Sequence, residues 1–425
     1  MSPALMEQSG VTDRASTPVQ VERRPTPYPY RAMLAVCSDL DLTPDARTYH
    51  ECLRFLNTSE TTSMGQGLGL EVGNTIYFDM APDQFAYWNT DDAGRAMVRR
   101  LIRSGHIDCL HSFGDLAATR AQAARSLDDL DRHDCRLAVW IDHAVAPSNF
   151  GADIMCGSGD VPGSPVYHAD LSAAFGIRYV WRGRVTSVTG QNVPRRLGGI
   201  FDPSHPVASA VTLARETAKG VLARRGHPKY VMHAPNAILK PVELRDGRPM
   251  VEFLRFNPHW AGVNRGETAM GLSEALTRRM CERLVRRGGI GVFYTHLGKF
   301  RQISEPFEAP ARDAFRMLAR FQADGEILVT TTRRLLDYCA ALERVQIDAS
   351  TSGDVTDLHV TAAAATGTVA PEPLDGLTVY VRDPARTRVF VDGRDMTAAI
   401  TRNAADETGR ASVSFPWPRL QFPAT

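Results

Sequence analysis

The sequence predicts an α/β protein: a distorted (β/α) barrel of seven or eight strands, followed by a small C-terminal antiparallel β-sandwich. Three observations predict it. From Arg31 to about Leu342, short β-like runs alternate with longer helix-like ones, the pattern of parallel strands with helices outside them. Polar and ionisable residues recur where the apolar runs end, and the carboxyl ends of barrel strands converge on the face where active sites are built. Beyond about residue 345, short alternating runs separated by Gly, Pro and Asp take over, as in a sandwich. The expected organisation is a disordered tail over 1–30, a catalytic barrel over 31–343 and an accessory domain over 344–425.

Strands are predicted at 32–38, 75–79, 107–110, 137–141, 177–181, 229–233, 290–295 and 327–330. These are short β-like runs, as parallel strands between helices would be. Helices are predicted at 44–56, 91–104, 116–132, 206–225, 271–287, 308–323 and 332–343. Pro44 with Asp45 suits a helix start, and Gly288-Gly289 a helix stop. The stretch 144–169 is rich in Gly, Pro and Ser, too broken for regular structure, and long loops in compact domains are commonly functional. Asn149, Asp160, Tyr167 and His168 make a substrate-facing loop the expectation there. Segment 237–257 reads as a hairpin about Arg245-Asp246-Gly247, because Asp-Gly is a strong turn signal. Asn257-Pro258-His259-Trp260 follows it as a lip. In the last domain, strands are expected around 345–347, 358–360, 377–381, 389–391 and 411–415.

With 49 basic and 48 acidic residues, net charge +1, the composition gives no reason to expect a nucleic-acid or acidic-membrane partner. No stretch reaches the roughly 18 apolar residues of a membrane span, and residues 1–30 lack the apolar core of a secretory signal. A cytoplasmic protein with a small-molecule or oligosaccharide substrate is expected. The seven cysteines are scattered and without CxxC spacing, which argues against a disulfide framework or a cysteine-type zinc site.

The chemistry-bearing residues lie at strand ends. Ile107-Asp108-Cys109-Leu110 runs into His111-Ser112-Phe113-Gly114-Asp115, which can bring one imidazole and one carboxylate to a single ion, an ordinary ligand set for catalytic zinc. The bland alternative makes Asp115 a helix cap. Asp39 and Asp41 follow the first strand, and residues two apart point the same way in a strand. Two carboxylates there are costly to bury unless they coordinate a cation or do chemistry. One can bind the metal while the other takes a proton from water. His296, after Val292-Phe293-Tyr294-Thr295, suits protonation of a leaving group. Trp140, Tyr167, Trp181 and Trp260 are candidates for an apolar wall against a sugar ring.

These segments resemble those of the polysaccharide deacetylase superfamily (carbohydrate esterase family 4 and its relatives), which has a first-strand motif with two aspartates, then His-Ser/Thr-x-x-His, and a late Leu-x-His. Ser38-Asp39-Leu40-Asp41, His111-Ser112-Phe113-Gly114-Asp115 and Thr295-His296 stand in those places. The resemblance implies a distorted (β/α) barrel, a divalent metal, most commonly Zn2+, and hydrolysis of N-acetyl or related acyl groups on sugars. It would make Asp39 the catalytic base, Asp41, His111 and Asp115 the metal ligands, and His296 the acid. The chain departs from the pattern in three places. Leu40 separates the aspartates, Asp115 replaces the second histidine, and Trp140-Ile141-Asp142-His143 stands where an Arg-x-Pro-Phe/Tyr motif is expected. Asp142 or His143 is therefore an alternative ligand or catalytic partner.

The sequence thus points to a metal-dependent hydrolase of an acylated sugar or sugar-like metabolite in glycan or natural-product biosynthesis, with Asp142, His143, Asn149, His168, Trp181 and Trp260 around the substrate. Two other readings remain open. One is a metal-free glycosidase using Asp39 with Asp142, whose separation would set the stereochemical outcome. The other is a non-catalytic carbohydrate-binding protein.

Overall fold

The larger sheet is organised around the chain's first apolar strand. In chain order its main strands are β1 (Ala32–Ser38), β2 (Gly73–Ile76), β3 (Ile107–His111), β4 (Val139–Ile141), β5 (Tyr179–Trp181), β6 (Pro249–Phe253), β7 (Ile290–Thr295) and β8 (Ile327–Thr330). The computed structural model describes residues 17–362 and 374–424. All seven residues of β1 are buried, as a parallel strand covered on both faces requires. It pairs in parallel with β7 along its length, with β8 over Ala32–Ala35 and with β2 at Cys37–Ser38. Parallel pairing continues from β2 through β3 and β4 to β5 and β6. The result is a mixed α/β fold with a curled sheet of eleven strands and additional small sheets.

Helices at Ala46–Asn57, Asp92–Arg103, Arg120–Arg132, Pro206–Arg224, Ala309–Ala323 and Thr332–Arg344 lie close to their predicted places. Asp45 caps the first of them, its carboxylate accepting from Thr48 N, which satisfies a donor that the helix leaves open. The predicted helix 271–287 is instead two, Leu272–Ala275 and Arg278–Arg287. Thr277 restarts it, its hydroxyl accepting from Met280 N at 3.1 Å. Gly288 ends it in the left-handed region at φ +62°.

Two strand expectations change. Residues 229–233 form no strand, because Pro228 opens a 3₁₀ turn over Pro228–Tyr230; proline lacks the N–H a central strand needs. The hairpin about Asp246-Gly247 is present, Leu239–Glu243 against β6, but β6 also enters the main sheet beside β5. Two residues after it, Arg255 and Phe256 pair with β7 on one side and with Val185–Thr186 on the other. From Asp142 to His168 there is neither helix nor strand, as the broken composition predicts.

The chain divides into two units. The larger spans Pro29–Ala340 and takes back the last residues from Pro418. That tail was expected in the accessory domain, but Leu420 N donates to Glu71, and Arg334 donates to the Pro418 carbonyl. The smaller unit has two sheets. Thr17–Val19, Val345–Ser352, Val355–Ala362, Thr387–Val391 and Arg394–Asp395 form one; Thr378–Tyr380, Ser412–Ser414 and Thr401–Asn403 form the other. Leu358, Val360, Val379, Val389 and Val413 from both sheets share its core. One pair, Val355–Ala362 with Thr387–Val391, is parallel rather than antiparallel. Residues 17–28 belong to this unit, although the sequence reading left them in a structureless tail; residues 1–16 lie outside the described residues. No helix among the described residues is long and apolar enough to cross a membrane.

A Cβ at Gly288 would meet only the Arg31 carbonyl, at 3.7 Å, so Gly288→Ala tests the left-handed turn alone. Urea denaturation should show a loss of about 1–2 kcal/mol; an unchanged midpoint would contradict the turn.

Candidate metal centre

Strands β1, β3, β4 and β7 run parallel, so the residues that follow them emerge on one side of the sheet. Asp39 and Asp41 follow β1, His111 ends β3, His143 comes two residues after β4, and His296 directly follows β7. Asp41, His111 and His143 form a group able to hold a metal ion, each offering one ligand atom with all three within 4.8 Å of one another. The chain leaves each of them through a residue in the left-handed region: Leu42 at φ +60°, Ser112 at +49° and Ala144 at +40°. For non-glycine residues that conformation costs of order 1–3 kcal/mol each, and such strain concentrates at functional sites.

Asp41 is the hub. Its Oδ1 accepts a hydrogen bond from Tyr77 Oη and lies 3.3 Å from His111 Nε2. Its Oδ2 lies 3.5 Å from His143 Nε2, 3.4 Å from His296 Nε2 and 3.1 Å from Lys299 Nζ. Burial would raise the Asp41 carboxyl, but the imidazoles around it hold it well below the ordinary carboxylate range. His111 Nε2 is buried without a hydrogen-bond partner, while its Nδ1 faces the Ile141 carbonyl at 3.4 Å. His143 Nδ1 is 2.8 Å from Asp115 Oδ1. Each imidazole is thus engaged through Nδ1 and presents Nε2 inward. Metal-binding histidines are oriented in this way by a carbonyl or carboxylate behind the ring. The donor set therefore fits a divalent cation. Burial alone would lower His143; Asp115 and Asp41 outweigh it and push the imidazole up to about 10.

Asp115, expected as a ligand, stands behind His143 instead. It is about half exposed, and it reaches the cluster through the imidazole that the sequence left as an alternative. The physical reason is the Ser112 turn: Gly114 at φ +101° passes so close to Asp79 that a Cβ would lie 2.2 Å from its carbonyl oxygen.

Asp39 is buried in a two-pronged ion pair with Arg255, Oδ2 to Nη1 at 2.7 Å and Oδ1 to Nη2 at 3.1 Å. Burial would raise its carboxyl, but the guanidinium holds it below its ordinary value. Its Oδ2 remains 4.0 Å from both His111 Nε2 and His296 Nε2. Burial lowers His296, only partly offset by the two aspartates.

Of the other expected substrate residues, Asp142, Asn149, His168 and Trp181 are buried. Asp142 is buried and accepts from Trp140 Nε1, Phe150 N and Gly151 N at 2.7–2.9 Å; burial pushes its carboxyl up to about 7 against those bonds. Asn149 is buried and braces the same loop, exchanging hydrogen bonds with His143 N and the His143 carbonyl. His168 is fully buried among Phe113, Trp140 and Phe150, its nitrogens on Ser172 and the Ser148 carbonyl. Trp181 is also buried, beneath the Arg255 guanidinium at 4.1 Å, and its indole N–H donates to the Arg184 carbonyl. Trp260 stacks on His205 at 3.6 Å. Asp142, Asn149, His168 and Trp181 are thus buried within the fold, while Trp260 is partly exposed against His205 and His259.

Arg255, Tyr77 and Lys299 were missed. A signal existed for Arg255: a lone arginine inside Phe253-Leu254-Arg255-Phe256 is costly to bury without a partner. Tyr77 sits inside an apolar run with nothing to mark it, and Lys299 is only three residues from His296.

No family model matches the chain, and neither a curated protein nor a solved structure does.

Two outcomes are expected. In titrations of the purified full-length protein with zinc, Asp41→Ala, His111→Ala and His143→Ala should each abolish tight binding. Asp115→Ala should weaken it only about 10–100-fold, as loss of an orienting partner does; complete loss would make Asp115 a ligand. Separately, Arg255→Leu should lower the unfolding free energy by about 3–5 kcal/mol, and adding Asp39→Leu should recover most of it. Additive losses in the double variant would contradict the ion pair.

Proposed function

We propose that the protein is a metal-dependent hydrolase that removes an N-acetyl or related acyl group from a sugar or sugar-like metabolite. The observation that carries this reading is the convergence of Asp41, His111 and His143 from three strand ends, with the buried His111 Nε2 facing Asp41 Oδ1 at 3.3 Å. Two imidazoles and one carboxylate leave a coordination position open, the mark of catalytic zinc sites. The resemblance to polysaccharide deacetylases supplies the substrate class. In its favour, residues 249–256 pair with β5 at one end and β7 at the other, which is how a seven-stranded barrel would close.

Held by Asp41, His111 and His143, a zinc ion would supply Lewis acidity toward an acyl oxygen and would lower the pKa of a water to about 7. The remaining steps belong to the chain. Arg255 fixes Asp39 so that Oδ2 faces the cluster and takes the proton from the attacking water. His296 Nε2, 4.0 Å from that oxygen, passes a proton to the departing nitrogen as the carbon–nitrogen bond breaks. Asp115, Asn149 and the Ile141 carbonyl hold the two imidazoles in register. A glycosidase built on Asp39 and Asp142 gains no support, since both Asp142 oxygens are engaged by N–H donors.

The test is carboxylate release from N-acyl amino sugars by the zinc-loaded protein. His296→Ala and Asp39→Asn should retain zinc and lose about 10²–10⁴-fold in kcat, the usual worth of a positioned acid or base. Wild-type turnover in both variants, or full activity after chelation, would overturn the reading.

A further inference from the structure

Nine large hydrophobic side chains are exposed among the described residues, and they fall into two groups. Phe201, Val207, Val211 and Val221 lie on and just before helix Pro206–Arg224. The other five lie within a few residues, along the chain, of residues at the candidate metal centre. Leu42 (62% exposed) follows Asp41, Leu116 (55%) follows Asp115, and Val145 (81%) comes two residues after His143. Met270 lies two residues past Thr268, which bridges to His296, and Ile303 lies four past Lys299. Asp41 and Asp115 both meet the His143 imidazole, so Leu42, Leu116 and Val145 branch from the chain one or two residues away from a single side-chain cluster. Leu42 is the sharpest case. It is a leucine at φ +60° with its side chain in water, which neither backbone preference nor solvation favours. Exposed apolar side chains grouped around a polar centre mark a ligand surface.

We propose that the acyl group removed at this site is a hydrocarbon chain of several carbons, lying along the rim made by Leu42, Leu116 and Val145. This rests on the hydrolase reading and narrows its substrate. The amide carbonyl is held at the Asp41–His111–His143 cluster, and the chain leaves the centre over the apolar rim. Water adds to the carbonyl carbon, the carbon–nitrogen bond breaks, the nitrogen takes a proton, and a fatty carboxylate leaves with the rim still beneath it.

The test uses the zinc-loaded full-length protein with N-acetyl-, N-butanoyl- and N-octanoyl-glucosamine, each below its aggregation threshold. Each methylene covered is worth up to roughly fourfold, so kcat/KM should rise with chain length, the octanoyl amide exceeding the acetyl amide by at least about tenfold. In Leu116→Ser/Val145→Ser, with zinc content checked, that ratio should fall to less than about threefold; both positions are exposed, so the fold should tolerate the change. A ratio near one in the wild type, or an unchanged ratio in the double variant, overturns the proposal. So does sedimentation of the wild type as a dimer that the double variant converts to monomer, since the rim would then cover a second copy. Turnover of none of the three amides by zinc-loaded protein overturns the hydrolase reading itself, and this inference with it.

Discussion

The Asp39–Arg255 ion pair is the constraint on which the rest depends. It joins residues 216 positions apart in the chain, one just past β1 and the other in the two-residue strand that lies beside β7. Both side chains are almost wholly removed from water, so neither charge is tolerable alone. The guanidinium is further enclosed by the Trp181 ring at 4.1 Å, the Tyr294 ring at 5.5 Å and the Cys37 thiol at 3.1 Å. A planar donor fork in such a box accepts a carboxylate in one orientation. That orientation leaves Asp39 Oδ2 turned toward His111 and His296.

Around that fixed point, the metal centre is assembled from strand ends rather than from a contiguous motif. The sheet brings them together because β1, β2, β3 and β4 are consecutive parallel strands whose carboxyl ends lie on one side. The left-handed residues after Asp41, His111 and His143 then turn the chain away from the cluster. The loop after β4 has no regular structure, yet it is held by Asp142 and Asn149 at nearly every polar atom they carry. A loop braced in this way can position a ligand as firmly as a strand does.

Several residues expected against a substrate are buried, for a shared physical reason. Asn149, His168 and Trp181 are polar or amphipathic residues near strand ends, and such positions serve either a substrate or the backbone of the loops around it. Sequence patterns do not separate the two, because the deciding quantity is which hydrogen bonds the folded neighbours offer. Asp115 and His143 stand in other places than the sequence predicts for a similar reason: His143 reaches Asp41, and Asp115 lies behind it. Both carry suitable donor atoms, and only the path of the chain after Ser112 decides which of them reaches Asp41.

The sequence by itself determined the alternation of parallel strands and outer helices, because burial on both faces demands continuous apolar runs. It also determined that Asp39, Asp41, His111 and His296 share one side of the sheet, since parallel strands end together. Tertiary structure alone decided the rest: that 249–256 rather than 229–233 enters the main sheet, that Arg255 neutralises Asp39, and that His143 joins the cluster with Asp115 behind it. Those outcomes rest on contacts between residues distant in the chain. Local periodicity carries no information about which buried charge meets which partner.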